Sequence, residues 1–492
     1  MIRTKNAVKI NTQDNVATVL ENIIADDYVL DIKAKCDIPM GHKIALQSIA
    51  AGGNVIKYGN PIGHAMVAIN PGEHVHNHNI KTNLSGIEEY TYSPENIGDV
   101  SSGISKVPTF MGYERPDGQV GIRNEIWIIN TVGCVNKTAE KIAKLANEKL
   151  IDVYTFVHPY GCSQLGDDHT YTQQILKGMV NHPNAAGVLV LGLGCENNHI
   201  ADFKKVLGTW DESRVKFLSI QDVADEVTEG LKLIDELAVY AKTFKRTEIP
   251  ISKLVIGLKC GGSDGFSGIT ANPLVGSLSD YVIAQGGTCI LTEVPEMFGA
   301  ETLLMNRAKD KNIFDKTVDL INDFKRYFIS HGQEIYENPS PGNKEGGIST
   351  LEEKSLGCTQ KGGKSPVVDV LSYGETAKIP GLNLLQGPGN DIVAVTNLMA
   401  AGAHIVLFTT GRGTPLGGPV PTVKISSNTP LAKIKSHWID FDAGELLDNT
   451  ALEALTETFF MYIIGLASGS ILAKNELNGY REISIFKDGV TL

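Results

Sequence analysis

Short apolar runs rich in Val, Ile and Leu, each ending in a glycine-containing polar turn, recur through the middle and end of this chain. Runs of this kind read as strands buried on both faces of a parallel sheet. Glu125–Asn130, Val153–Val157 and Gly187–Leu191 form one series. Helical spacing follows the first in KTAEKIAKLANEKL, a polar helix-like segment through Met179 follows the second, and ADEVTEGLKLIDELAVYAKTF closes the series. A second series comprises Leu254–Leu258, Thr288–Thr292, Val367–Leu371 and His404–Phe408. Strands alternating with helices predict parallel sheets. The beginning of the chain differs. Tyr28–Cys36, Lys43–Ile49 and Val55–Tyr58 are β-branched or alternating segments punctuated by Gly, Pro and Asn, which predicts a small β domain. Residues 84–110 lack periodicity and are rich in Ser, Gly, Pro and acidic side chains. They read as a linker long enough for the β domain to swing over another domain or a neighbouring subunit. The expected architecture is therefore multi-domain: a small all-β domain (1–83), a linker (84–110), and two α/β domains with mainly parallel sheets (111–247 and 248–492).

At 492 residues the chain exceeds what one hydrophobic core supports, which agrees with that division. A net charge of −12 argues against nucleic acid and anionic membrane as partners, although one Arg or Lys pocket still serves a small anion. MIRTKNAVKINTQDN has no apolar signal core, and the longest apolar candidate, FMYIIGLASGSILA from Phe459, is short and broken by Ser and Gly. The seven cysteines are an odd number in a long chain, so reduced thiols and a cytoplasmic location are expected.

The densest chemistry lies in KLVIGLKCGGSDGFSGITANPLVG. Cys260, Ser263, Asp264, Ser267 and Asn272 follow a strand end, where open α/β sheets bind ligands. Three strands of the middle domain also end in a cysteine, at Cys134, Cys162 and Cys195, and Cys260 is a fourth. On one sheet edge these thiols suit iron, zinc or an iron–sulfur cluster; otherwise they are small buried hydrophobes. HVHNHN places His74, His76 and His78 on one face of an extended strand, with His42 and His64 near in sequence, as a metal or substrate contact or as a solvated edge. The chain has no GxxxxGK[ST], no GxGxxG after its first strand and no CxxC. Nucleotide binding and dithiol redox chemistry are thereby disfavoured.

GHKIAL, IKYGNPIG and HVHNHN resemble a SAF-type β domain. KCGGSDGFSGITANP, HPYGC, GLGCE, NPSPGNKEGG, EKSLG and TTGRGTP resemble the signatures of the altronate/galactarate dehydratase family, in order and over essentially the whole chain. The resemblance implies a hydro-lyase of hexuronate (galacturonate) catabolism that converts D-altronate to 2-keto-3-deoxy-D-gluconate and water, with Fe2+ or Mn2+. A galactarate (aldarate) dehydratase is the alternative within the class, and a noncatalytic sugar-acid-binding protein is the alternative outside it. Loss of water from a 2,3-dihydroxy acid needs a base at C2, an acid at the C3 hydroxyl and a Lewis acid. His158 and Lys259 are candidates for base or acid, and Glu293 for metal ligand or proton carrier. Lys344 and Arg412 would hold the carboxylate; Asn197, Asp264 and Asn272 would hold hydroxyls. The metal would sit on His74, His76 or Glu293, or as a [4Fe–4S] cluster on three of Cys134, Cys162, Cys195 and Cys260. The expected partners are a sugar acid and a second copy of the chain.

Overall fold

The computed structural model describes residues 2–3, 6–95, 107–448 and 450–492. The amino-terminal domain is built from small antiparallel sheets. One runs Ile2–Arg3, Ala7–Lys9, Val16–Val19, Lys43–Ala45, His74–Val75; another runs Ile80–Lys81, Asn60–Ala65, Asn54–Lys57. The segment Tyr28–Cys36, expected as one strand, is a tight hairpin of Tyr28–Val29 and Ile32–Lys33. Leu30 and Asp31 turn it by adopting φ of 48° and 66°.

The middle domain holds a four-stranded parallel sheet in the order Val153–Thr155, Glu125–Asn130, Ala185–Gly192, Val215–Ser219. The carboxy-terminal domain holds a seven-stranded parallel sheet ordered Val367–Leu371, Gly381–Leu385, Thr288–Leu291, Val255–Cys260, Ile405–Thr410, Thr422–Ser426, Phe441–Asp442. Val215–Ser219, Gly381–Leu385, Thr422–Ser426 and Phe441–Asp442 complete sheets whose other strands are legible in the sequence. The two α/β domains share a core in which Trp127, Val188 and Val190 meet Ile290, Leu398 and Phe408. No described helix is long and apolar enough to cross a membrane.

The stretch expected as a free linker is docked wherever it is described; residues 96–106 lie outside the described residues. Leu84 enters the main core, Tyr90 accepts a hydrogen bond from Lys325 at 2.9 Å, and the Tyr92 ring lies 4.9 Å from Phe314. Thr109–Glu114 is a strand paired with Arg246–Pro250, which lies between the two α/β domains. Large aromatic surfaces among the polar residues account for this docking.

One short helix, Leu351–Cys358, is buried along its whole length and joins the domains. Thr350 caps it by accepting from the Glu353 backbone N–H. Glu353 receives Lys43 on one oxygen and Lys57 on the other, both at 2.8 Å, and both lysines come from the amino-terminal domain. Lys43 also donates to the Gly347 carbonyl at 2.7 Å. Glu352 accepts from the Asn83 backbone N–H and from Thr82. Burial alone would raise the Glu353 carboxyl, but Lys43 and Lys57 outweigh it and hold it down to about 2. Burial pushes the Lys43 ammonium down to about 8, whereas Lys57, equally buried, is held above its ordinary value by Glu353. Glu353 is thus the firmly charged centre of the joint.

Candidate active site at the domain junction

The amino-terminal domain meets the carboxy-terminal sheet rim where backbone passes backbone. A Cβ on Gly265 would lie 2.0 Å from the Gly41 carbonyl oxygen, and one on Gly347 would lie 2.3 Å from it. Glycine in CGGSDG and KEGG therefore permits a contact that no side chain would allow. That contact seats His42. Its Nε2 faces the Glu345 carbonyl oxygen at 3.1 Å, and its Nδ1 faces His74 Nε2 at 3.0 Å. His76 joins them, its Nδ1 3.2 Å from Ser349 Oγ, with its ring 4.7 Å from that of His42. The His78 ring lies 5.3 Å from that of His74 and is exposed to solvent.

His42, His74 and His76 bring three ring nitrogens within 4.8 Å of one another. Burial, then the neighbouring imidazoles, push His74 down to about 3, and burial with Lys43 pushes His76 down to about 4. Neutral rings offer lone pairs, and a backbone carbonyl or hydroxyl on the far nitrogen orients a ligating imidazole. The donor set fits a metal ion. The strand expected to align His74, His76 and His78 is only His74–Val75, and the chain turns after it. The third nitrogen comes instead from His42, beside the strand Lys43–Ala45, which pairs Ile44 with His74.

Arg412 stands on the same junction. The Gly411 and Arg412 N–H groups both donate to the Gly262 carbonyl at 3.0 Å, folding the loop onto the CGGSDG turn. The Arg412 guanidinium, partly exposed, holds the Glu345 carboxylate at 2.8 Å. Glu345 and Lys344 end the short helix Pro341–Glu345. Through Glu345, His42 and Arg412 thus share one neighbour.

Asp264 lies at the same junction, packed against Gly346 and Gly411. Asp264 is buried and accepts from the Phe266 and Ser267 N–H groups, Ser267 Oγ, Ser427 Oγ and Asn428. Asn272 donates to the Gly357 carbonyl and accepts from Thr409. Both spend their hydrogen bonds shaping the rim. Lys259 is fully buried and donates to Glu293, to Asp391 at 2.8 Å and to the Cys260 carbonyl at 2.6 Å. Its neighbours hold it above the ordinary lysine range against the effect of burial. An ammonium so held is no base.

Cys260 lies 3.3 Å from Cys358, and Glu296 accepts from the two thiols at 2.9 and 3.2 Å. These three also form a group able to hold a metal. Cys260 is fully buried, Cys358 and Glu296 nearly so, and Lys354 closes on Glu296 at 2.8 Å. Of the two groups, the histidines are the less buried.

In the middle domain, His158 is 2% exposed. Its Nε2 meets the Asn130 carbonyl at 2.9 Å and its Nδ1 accepts the Tyr160 N–H at 3.2 Å, so both nitrogens are committed to the backbone. Burial keeps the ring neutral. His158→Ala is expected to cost about 1–3 kcal/mol of stability through unpaired backbone groups. The pH–rate profile should keep its shape, because both ring nitrogens are committed to the backbone; thermal unfolding and a profile of kcat against pH check both. Asn197 accepts the Ser163 N–H at 2.7 Å. Cys134, Cys162 and Cys195 are exposed on this domain, whereas Cys260 is buried in the other. The four strand-end thiols therefore do not share one environment.

The imidazoles and the Arg412 guanidinium thus meet at one domain junction, both beside Glu345. The chain belongs to the D-galactarate/altronate dehydratase family. Residues 5–83 match the altronate/galactarate dehydratase SAF domain, 112–242 the second domain and 251–491 the C-terminal domain of these enzymes. The chain is 56% identical to an altronate dehydratase of Bacillus subtilis, covering 99% of this chain and 100% of that one. It is 53% identical to an altronate dehydratase of Escherichia coli, covering 99% of each. A galactarate dehydratase of Escherichia coli is 32% identical, covering 94% of this chain and 92% of its own.

Proposed function

We propose that this enzyme dehydrates D-altronate to 2-keto-3-deoxy-D-gluconate. The observation that carries the reading is the full-length similarity to altronate dehydratases, at 53–56% identity against 32% for the galactarate enzyme. The junction supports it with groups suited to the chemistry. In the reaction the C2–H bond breaks, the C3–O bond breaks with loss of hydroxide, and the resulting enol rearranges to the ketone; the two lost fragments make one water.

Arg412 and Lys344 hold the substrate carboxylate. Glu345, now on the Arg412 guanidinium, marks the place that carboxylate takes. His78, exposed beside the ring cluster, removes the C2 proton. His42, His74 and His76 hold a divalent metal, Fe2+ or Mn2+, which when bound supplies Lewis-acid stabilisation to the substrate oxygens. Asp264 and Asn272 act by keeping the rim in shape, and Lys259 with Glu293 by neutralising charge beneath it. The reaction belongs to hexuronate breakdown, and the free thiols suit the reducing cytoplasm.

The test is formation of 2-keto acid from D-altronate by protein isolated without oxygen, with and without added Fe2+, beside galactarate and D-mannonate. Product from altronate alone is expected; product from galactarate alone moves the substrate, and none from any of the three returns the chain to a binding role. Arg412→Ala should raise KM roughly 10- to 100-fold, the loss of about 1.5–3 kcal/mol of charged hydrogen bonding, with a smaller change in kcat. His78→Ala should lower kcat about 100-fold or more while metal content stays at the wild-type level. The second copy expected from the linker is checked by light scattering, which returns twice the chain mass for a dimer.

A further inference from the structure

The middle domain carries chemistry that the junction does not use. Cysteine is among the residues most often buried. Here Cys134, Cys162 and Cys195 are all free and exposed. They follow three neighbouring strands of one parallel sheet, in the spatial order Val153–Thr155, Glu125–Asn130, Ala185–Gly192. Parallel strands deliver their carboxyl ends to one edge. The register sharpens this. Asn130 pairs with Leu191, and Cys134 and Cys195 each lie four residues beyond that pair. Ile128 pairs with Thr155, which brings Cys162 off its strand only one position later. Adjacent strands lie about 4.8 Å apart, so the three cysteine-bearing loops leave the sheet side by side.

The three loops are bound to one another. The Gly133 N–H donates to the Tyr160 carbonyl at 2.9 Å, and the Asn198 N–H to the Gly161 carbonyl at 3.0 Å. The Asn198 side chain donates to the Thr131 carbonyl at 3.1 Å, and the Asn136 side chain to the His158 carbonyl at 2.9 Å. A Cβ on Gly161 would lie 2.0 Å from the Thr131 carbonyl oxygen. Glu196, beside Cys195, is buried and accepts from Thr131 and from the Leu193 and Gly194 N–H groups. His158 pins the Cys162 loop to the Asn130 strand. This is extensive scaffolding for three cysteines at one rim. Two buried polar atoms beside them, Asn130 Oδ1 and Gln164 Nε2, have no hydrogen-bond partner among the described residues.

We propose that Cys134, Cys162 and Cys195 hold an iron–sulfur cluster of the [4Fe–4S] type, with one iron left for a non-protein ligand. Thiolates are the ligands of such clusters, and three of them leave one of the four irons without a protein ligand. Among the described residues these three sulfurs are not all within 4.8 Å of one another, as the ligands of a single ion would be. The site is distinct from the histidine group and does not rest on the identity of the substrate.

The full chain, isolated under argon or reconstituted with ferrous iron and sulfide, should contain about four acid-labile sulfides per chain and about four irons beyond any held by the histidine group. It should show broad visible absorption that bleaches in air. Cys134→Ser, Cys162→Ser and Cys195→Ser should each lose most of the sulfide and colour, while His74→Ala keeps both. In the reconstituted wild type, exposed Cys36 should alkylate while the three thiols are protected, and they should become reactive after chelation. Iron without sulfide, sulfide unchanged in all three variants, or alkylation of the three thiols as fast as Cys36 would overturn the proposal. The alkylation experiment stands even if a serine variant fails to fold, and none of these readouts depends on turnover.

Discussion

Glu353→Gln unseats the amino-terminal domain. The substitution keeps the shape of the side chain and removes its charge, leaving Lys43 and Lys57 buried with no counter-ion. Breaking a buried ion pair from one side costs about 3–5 kcal/mol, and here one carboxylate serves two cations. That is a large part of the roughly 5–15 kcal/mol by which a domain is stable. Proteolysis and hydrogen exchange of residues 6–83 should report it first, because the α/β core does not depend on this pair. Replacing Glu353, Lys43 and Lys57 together by Met, Met and Leu should recover most of the lost stability, since an apolar cluster is no worse than a desolvated ionic one. The charge also sets a pH limit. The folded carboxyl is held down to about 2, below its ordinary 4.5, so its contribution is present above about pH 4.5 and is lost as pH falls towards 2. An acid titration of domain docking should lose this component in Glu353→Gln.

His74→Ala removes the central ring of the junction. His74 is within ring contact of His42, His76 and His78, and its Nε2 is 3.0 Å from His42. Losing an outer-shell partner of a metal ligand already weakens binding about 10- to 100-fold, so losing a ligand should exceed about 100-fold. Lewis-acid stabilisation is worth several kcal/mol of barrier, and each 1.36 kcal/mol is tenfold in rate, so kcat should fall on the order of 1,000-fold. Metal content after dialysis and turnover at saturating metal separate the two effects. Unchanged metal binding with full turnover would remove the junction from the reaction. The ring is half-buried and carries no charge pair, so the domain should stay docked, in contrast with Glu353→Gln.

The apolar runs of the two α/β domains were enough to place most of the interior strands and their parallel order, because strands buried on both faces need uninterrupted Val, Ile and Leu. Val215–Ser219 and Gly381–Leu385 escaped notice because VKFLS is mixed and GLNLL begins with Gly and carries a buried Asn. The docking of the described part of residues 84–110 escapes composition for a related reason. Composition marks a segment that cannot make its own core, yet Tyr90 and Tyr92 dock on a core made elsewhere. The signature segments carried the family, since motif order survives without knowledge of contacts.

What the sequence determined by itself was the class: β domain first, two parallel sheets after it, thiols at strand ends, histidines gathered near residue 76, and the family. Tertiary structure alone decided which of these groups meet. His42 joins His74 through a strand pairing 32 residues away, and Lys43 finds Glu353 across 310 residues. Cys260 meets Cys358 across 98 residues and so parts company with the other strand-end thiols. Charged side chains read as solvated in any sequence, and only docking shows that Lys43, Lys57, Glu353, Lys259 and Glu293 are buried. Local pattern records which residues face inward, but partners far apart in the chain are chosen by the packing of whole domains, where the cost of burying a charge leaves few acceptable neighbours.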